Sequence, residues 1–187
     1  MNKFLIVGLG NPGVEYELTR HNIGFLILDR LADIQKTGFT TSRLADKAEL
    51  KYKGKHVFLI KPNTYMNLSG KAMAYWMNEL KIPKENTLVV VDEIALPLGT
   101  LRMKPRGSAA GHNGLKNIED LTGGQDYPRL RFGIGNNYGK GQQVEYVLSP
   151  FSQEEFKILT PLIDRGCDMI LSFCTAGIEN TMNQYNQ

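Results

Sequence analysis

Two of the three histidines in this 187-residue chain stand beside an asparagine in or near a glycine-rich turn. His21 follows the turn Gly-Leu-Gly-Asn-Pro-Gly at residues 8–13, and His112 lies inside a second glycine-rich stretch at 107–114. Histidine is the side chain best suited to proton transfer near neutral pH. Either ring taken alone is equally compatible with a histidine satisfied by local hydrogen bonds, but the repeated arrangement favours a proton-transfer site.

One acid and three asparagines supply the other groups that this chemistry needs. Asp92 follows the apolar run at 88–91 and can fix the tautomer of an imidazole, which leaves the second ring nitrogen free to take a proton from water. The amides of Asn11, Asn67 and Asn113 can bind carbonyl groups of a substrate and donate to an oxyanion. Simpler structural explanations are a turn or helix cap for Asp92, an Asx turn for Asn11 and a helix N-cap for Asn67.

A row of basic side chains points to a phosphate-rich partner. Arg102, Lys104 and Arg106 alternate along a predicted strand and would share one face if that strand is regular, and Arg131 lies on a neighbouring strand. The same spacing also occurs on a solvated polar face. The net charge of +3, from 22 basic and 19 acidic residues, is too small to indicate a nucleic-acid partner by itself.

Several familiar motifs match only in part. Residues 8–13 satisfy G-x-G-x-x-G, but the helical pattern starts only near His21, which makes dinucleotide binding a weak alternative. Residues 135–140 are one residue short of a P-loop, and G-x-S-x-G, S-x-x-K and H-E-x-x-H do not occur in the sequence. The histidines and cysteines show no metal-ligand spacing, so we expect neither a metal nor another cofactor.

The elements that position these residues alternate between strand and helix, which is typical of an α/β fold. The pattern predicts strands at 4–7, 88–91, 101–104 and 130–134, helices at 22–31 and 67–80, and a hairpin at 49–60 that turns at Gly54 and ends at Pro62. Ser152 and Glu155 form a capping-box pattern, and Thr160-Pro161 predicts the start of a final helix. We expect one α/β domain over residues 1–187, with a mixed, mostly parallel central sheet flanked by helices on both faces.

Cysteine usage and hydropathy favour a cytoplasmic protein. Cys167 and Cys174 lie in a helical pattern about 10 Å apart along the axis, too far for a disulfide, and a reducing compartment fits them. The apolar run at 4–7 is too short for a signal peptide, and no segment is long enough to span a membrane.

These motifs resemble the bacterial peptidyl-tRNA hydrolase family over essentially the whole chain. The matching residues are 8–13, Tyr16, Thr-Arg-His-Asn-Ile-Gly at 19–24, Pro62, Thr-Tyr-Met-Asn-Leu-Ser-Gly at 64–70, Asp92, Gly-His-Asn-Gly at 111–114 and Arg-Leu-Arg-Phe-Gly-Ile-Gly at 129–135. The resemblance implies a monomeric α/β domain without an obligatory protein partner. It also implies metal-independent hydrolysis of the ester that joins a peptide to the 3′ ribose of tRNA, in the recycling of peptidyl-tRNA from stalled ribosomes.

The resemblance also assigns roles to individual residues. It implies that His21 is the catalytic base and Asp92 its orienting partner. It makes Asn11, Asn67 and Asn113 the substrate-binding amides, lines the cleft with Tyr16 and Met66, and implies that Lys104 and Arg131 hold tRNA phosphate. We add His112 to the predicted substrate-binding residues, and the strand spacing adds Arg102 and Arg106 to the predicted tRNA-binding residues.

Three positions depart from the family pattern. Ala95 stands where many members have a second acid three residues after Asp92. Ala110 replaces a glycine, and its methyl group can narrow or stiffen the loop. Asn136 and Asn137 stand where a basic residue and proline are frequent, which weakens the local positive field.

A catalytically silent RNA-binding relative is the alternative from a different class. The sequence feature that separates the two hypotheses is the presence of His21, Asp92 and the three asparagines, which a pure binding module does not need.

Overall fold

A computed structural model describes residues 2–186 of the chain. Its strands are β1 (Lys3–Gly8), β2 (Thr40–Thr41), β3 (Ala45–Tyr52), β4 (Lys55–Pro62), β5 (Thr87–Glu93), β6 (Leu101–Lys104) and β7 (Arg129–Gly133). Its helices are α1 (Ile23–Ile34), α2 (Ser69–Leu80), α3 (Asn113–Thr122), α4 (Gln143–Val147), α5 (Gln153–Ala176) and α6 (Ile178–Tyr185). Short 3₁₀ turns lie at Val14–Tyr16, Arg20–Asn22, Met66–Leu68 and Lys84–Asn86.

All seven strands belong to one sheet, in the order β2-β3-β4-β1-β5-β7-β6. The four central strands β4, β1, β5 and β7 run parallel, and antiparallel strands close both edges. The apolar strand β5 is buried along Thr87 to Asp92, as expected for a central parallel strand covered on both faces. The carboxyl ends of the parallel strands therefore meet at one edge of the sheet, where open α/β folds carry their sites.

Helices cover both faces of the sheet, as predicted. One core joins Ile6, Val90 and Phe132 on the sheet to Ile27 of α1 and Ile170 of α5. The core on the opposite face joins Val7 and Val91 to Met73 and Trp76 of α2 and Ile118 of α3. The mixed, mostly parallel α/β fold is confirmed.

The hairpin prediction is confirmed by a two-residue turn. Tyr52 pairs with Lys55, and Lys53 and Gly54 between them have φ values of 47° and 79°. Two consecutive residues with positive φ give the turn whose twist matches that of the paired strands, which explains why glycine follows Lys53.

The predicted start of a helix at Thr160-Pro161 is wrong. The helix α5 begins at Gln153, where Ser152 and Glu155 form the predicted capping box, and Pro161 lies inside it. A proline removes one backbone donor, but α5 is long and buries an apolar stripe that includes Leu159 and Ile170, so packing outweighs that local cost. The final helix is α6, which follows Gly177.

Two other expectations concern the whole chain. Cys167 and Cys174 are both buried and both free, so the sequence argument against a disulfide is confirmed. Within residues 2–186, no helix has the length and apolar character needed to cross a bilayer.

Candidate active site

His21 reaches the carboxyl edge of the sheet because α1 begins very close to the ends of β1 and β5. A Cβ atom on Gly24 would lie 2.5 Å from the amide nitrogen of Leu9 and 2.6 Å from the carbonyl oxygen of Val90, so only glycine permits this approach. The glycines at 8–13 are followed by the 3₁₀ turn Val14–Tyr16, and α1 begins only at Ile23, so this helix does not open within the glycine motif as dinucleotide binding requires.

Asn11 and Asn22 fasten this turn to the end of β1. The side chain of Asn22 accepts from the amide of Asn11 at 2.8 Å and donates to its carbonyl at 2.9 Å. The side-chain oxygen of Asn11 accepts from the distant amide of Met66 at 2.7 Å, so Asn11 does not form an Asx turn. No group within residues 2–186 accepts a hydrogen bond from Nδ2 of Asn11 at the strand end, so this donor is available to a ligand.

Asp92 lies at the centre of the site and accepts hydrogen bonds from two histidines. Nδ1 of His21 is 2.7 Å from Oδ2, and Nε2 of His112 is 2.8 Å from Oδ1. Burial raises the pKa of this carboxyl group, but the charges and hydrogen bonds of the two histidines outweigh burial and hold the pKa well below its usual range. Burial lowers the pKa of His21, while the charge and the hydrogen bond of Asp92 raise it, and the net shift is upward.

The ring of His112 is fixed in one tautomer. Its Nδ1 accepts from the backbone amides of Gly114 and Leu115, at 3.1 and 3.3 Å, and so caps α3. That acceptor role assigns the ring hydrogen to Nε2, which donates it to Asp92. Both ring nitrogens of His112 are thus used within the protein, whereas no group between Asn2 and Asn186 makes a hydrogen bond to Nε2 of His21.

The same tautomer argues against a metal ion at this cluster. His21, Asp92 and His112 offer ligand atoms that lie within 4.8 Å of one another. A metal needs the lone pair of each nitrogen, and Nε2 of His112 carries the hydrogen instead. Binding a metal there requires the other tautomer, which removes the cap of α3.

A cavity of about 300 Å³ opens in front of this cluster. Of the residues predicted to bind substrate, it brings together Asn11, Met66, Asn67, His112 and Asn113, beside His21 and Asp92. Asn67 does not cap α2, because the N-cap position is Leu68. Tyr16 does not line this cavity; it lies in the turn Val14–Tyr16, and its carbonyl accepts from the hydroxyl of Thr19 at 2.9 Å.

One wall of the cavity was not predicted from the sequence. Val144 and Leu148, on and just after α4, line the cavity although both are exposed. Arg20 anchors this wall, because its guanidinium donates to the carbonyl of Tyr146, to Ser149 and to the carboxylate of Glu155. A helix of five residues is too short to show a hydrophobic period, so the sequence gives little signal for it.

The Ala110 departure has a structural consequence beside the cavity. Ala110 adopts a φ of 49°, a left-handed conformation that costs an alanine more than the glycine it replaces.

Ala95, the second position that departs from the family pattern, is exposed, and its backbone amide donates to Glu93 at 3.1 Å.

The basic residues gather on one face of β6 and β7, with one change from the prediction. Arg102 pairs with Arg131 in the antiparallel register, so the two side chains leave the same face of the sheet, and Lys104 follows on that face. The strand ends at Lys104, so Arg106 lies outside the regular row, with its side chain 76% exposed. Nη1 of Arg131 donates to Glu93 at 3.4 Å, and Glu93 lines the active-site cavity.

Fold and site together define an α/β protein in which two half-buried histidines hold a buried aspartate beside a cavity. A family model described as peptidyl-tRNA hydrolase matches residues 5–187. The peptidyl-tRNA hydrolase of Phocaeicola vulgatus is 55% identical over 185 residues, which are 99% of each chain. That of Porphyromonas gingivalis is 53% identical over 184 residues, 98% of this chain and 100% of the relative.

Solved structures agree with the sequence comparison. A crystal structure of peptidyl-tRNA hydrolase from Acinetobacter baumannii superposes with a TM-score of 0.93 at 34% identity, over 99% of this chain and 95% of that one. This chain belongs to the peptidyl-tRNA hydrolase family, as its motifs predict, and it is a hydrolase.

Proposed function

We propose that this chain hydrolyses the ester between a peptide and the 3′ ribose of tRNA, with a water molecule activated by His21. The observation that carries the proposal is the 2.7 Å contact between Nδ1 of His21 and Asp92, which commits one ring nitrogen and leaves Nε2 as the proton acceptor. The family supports peptidyl-tRNA as the substrate.

The reaction needs two proton transfers through the same nitrogen. Nε2 of His21 takes a proton from water while the water oxygen attacks the ester carbonyl carbon, and the tetrahedral oxyanion receives hydrogen bonds from side-chain amides. The imidazolium is stabilised by the buried carboxylate of Asp92. It then returns the proton to the ribose oxygen as the carbon–oxygen bond breaks, which releases the peptide acid and the tRNA hydroxyl group.

His112 acts in this mechanism through Asp92 and not through the substrate. Its Nε2 donates a hydrogen bond to Oδ1 of Asp92, which keeps Oδ2 oriented toward His21. His112 is therefore a positioning residue.

The remaining predicted residues divide between the two parts of the substrate. Asn11, Asn67 and Asn113, with Met66, bind the peptide next to the ester. Lys104 and Arg131, with Arg102 and Arg106, bind tRNA phosphates beside the cavity. We place the activity in a single-domain, cytoplasmic monomer that recycles peptidyl-tRNA from stalled ribosomes.

The test of this function is a comparison of two substrates with metal-free protein. We expect release of N-acetyl-aminoacyl groups from tRNA, and much slower release from free aminoacyl-tRNA. Binding of both without release from either would identify the chain as a silent RNA-binding relative and overturn the proposal.

A further inference from the structure

A second cavity lies beside the active-site cavity and shares Asn11 with it. Its volume is about 520 Å³, within the range of cavities that hold small ligands. The loop after β1, the first half of α1 and the adjoining ends of β3 and β4 form its walls. Apolar surface comes from residues such as Leu18, Phe25 and Pro62, and charge comes from Glu17, Asp29, Asp46 and Lys61.

The position of this cavity along the sheet places it on one side of the reacting ester. The basic residues Lys104 and Arg131 lie on β6 and β7, at one end of the strand order. His21 and Asp92 lie at the ends of β1 and β5, in the middle. The second cavity lies beyond them, toward β4 and β3. An ester held at His21, with its tRNA extending toward β6, presents its peptide to the side where this cavity opens.

The charge of the cavity is opposite to that of the tRNA-binding face. Three carboxylates line it against the single ammonium of Lys61, which donates to Asp29 at 2.5 Å. Among the described residues 2–186, the carboxylates of Glu17 and Asp46 make no side-chain hydrogen bond and no ion pair. Such a lining repels phosphate and attracts a cation.

A residue at the boundary between the two cavities can contact a peptide that extends from one cavity into the other. Asn11 is 8% exposed, and its free Nδ2 can donate to a peptide carbonyl where the cavities meet. At the outer rim, Val14 and Leu18 expose 78% and 52% of their surface. A lining that combines apolar side chains with the carboxylates of Glu17 and Asp46 suits a side chain with an aliphatic stem and a charged head, as lysine and arginine have.

We propose that the second cavity is a subsite for the peptide part of the substrate, upstream of the esterified residue, and that it favours a lysine or arginine there. The inference rests on the proposed function, because it takes the ester to lie at His21. It adds a charge preference to a reaction whose chemistry does not depend on the side chains of the peptide.

The experiment uses tRNA esterified with N-acetylated glycine peptides in which one position at a time carries lysine, glutamate or glutamine. The measured quantity is the ratio of kcat/KM for lysine to that for glutamate at each position. We expect the ratio to exceed one at one upstream position by about two- to fivefold, the effect of a solvent-accessible ion pair. High salt should bring this ratio closer to one, because it screens the ion pair.

Variants assign the preference to the cavity. Glu17→Gln and Asp46→Asn should each lower the ratio, and Glu17→Lys should bring it to or below one. Glu179→Gln, at an exposed position on α6 outside both cavities, should keep the parent ratio. Because each ratio is measured within one protein sample, partial loss of folded protein does not change it.

Two results separate the inference from the proposed function. Equal values for lysine and glutamate at every position, or a preference that survives Glu17→Lys, would overturn the subsite while hydrolysis of the glycine peptide upholds the proposed function. Failure to hydrolyse any of these esters would overturn both.

Discussion

The histidine–aspartate cluster differs from Lys104 and Arg106, the two outermost cations of the basic face, in how far its polar atoms are already bound within the protein. Asp92 is 5% exposed and is held by two histidines at 2.7 and 2.8 Å. Lys104 is exposed, and Arg106 lies 4.0 Å from the carboxylate of Asp126. A group that moves a proton must be oriented before the substrate arrives, whereas a cation that holds a phosphate needs mainly its charge.

This comparison predicts that substitutions in the cluster reduce catalysis strongly, and that substitutions on the basic face weaken substrate binding only slightly. In the cluster, each substitution removes a fixed partner from a site with few alternatives. If the basic face binds tRNA phosphates as proposed, neighbouring cations share the field of each phosphate, and salt screens each contact.

The largest effect is expected from His21→Ala. Loss of the general base should reduce kcat by about 10²- to 10⁴-fold, and KM should stay within a few-fold of the parent. His56→Ala is the matched control, because that histidine is paired with Glu49 at 3.0 Å and lies outside the cavity. Near-normal kcat in a folded His21→Ala protein would remove this residue from the mechanism.

Asp92→Asn is expected to reduce kcat nearly as much as His21→Ala, and to shift the pH profile of kcat. The neutral amide offers a donor to Nδ1 of His21 and so favours the wrong tautomer. Because His21 must be neutral to act, kcat rises as pH passes its pKa, which Asp92 raises. Removing the negative charge leaves burial as the main influence, so the rising limb should move to lower pH. If the rising limb of the pH profile did not move in Asp92→Asn, a group other than His21 would control it.

An intermediate effect is expected at His112, where two variants separate its two roles. His112→Ala removes both the donor to Asp92 and the cap of α3, whereas asparagine restores a good N-cap without the ring. Both should lower kcat by about tenfold, the order of a lost hydrogen bond to a charged group. Thermal unfolding should show a loss of about 1 kcal/mol for His112→Ala and less for His112→Asn. If His112→Asn kept the kcat of the parent, His112 would serve only to cap α3 and would not position Asp92.

Much of the cluster and its support was predictable because its signals are local. The apolar run at 88–91 identifies a central strand, and an acid at the end of such a strand lies at the site edge of the sheet. The turn residues at 8–13 place His21 just beyond the end of the first strand, and the structure brings α1 against that strand end through the contact of Gly24 with Leu9.

The parts that sequence analysis missed depend on contacts between distant residues. The shared carboxylate joins His21 to His112 across 91 positions of the chain, and only the folded sheet brings them together. Pro161 inside α5 was misread because a local breaker signal was outweighed by packing along the whole helix. Arg106 was placed in a row that ends two residues earlier, and strand ends are set by pairing with β7.

The smallest effect is expected from Lys104→Ala and Arg131→Ala. Each phosphate contact contributes about 0.7–0.9 to the slope of log affinity against log salt, so either variant should flatten that slope by close to one contact. KM for peptidyl-tRNA should rise, and hydrolysis of a short ester without the tRNA body should change little. Lys51→Ala, an exposed strand lysine toward the opposite edge of the sheet, is the matched control and should keep the parent slope. If Lys104→Ala and Arg131→Ala also keep the parent slope, the phosphates bind elsewhere, and the contrast between a fixed cluster and a phosphate-binding basic face no longer describes this enzyme.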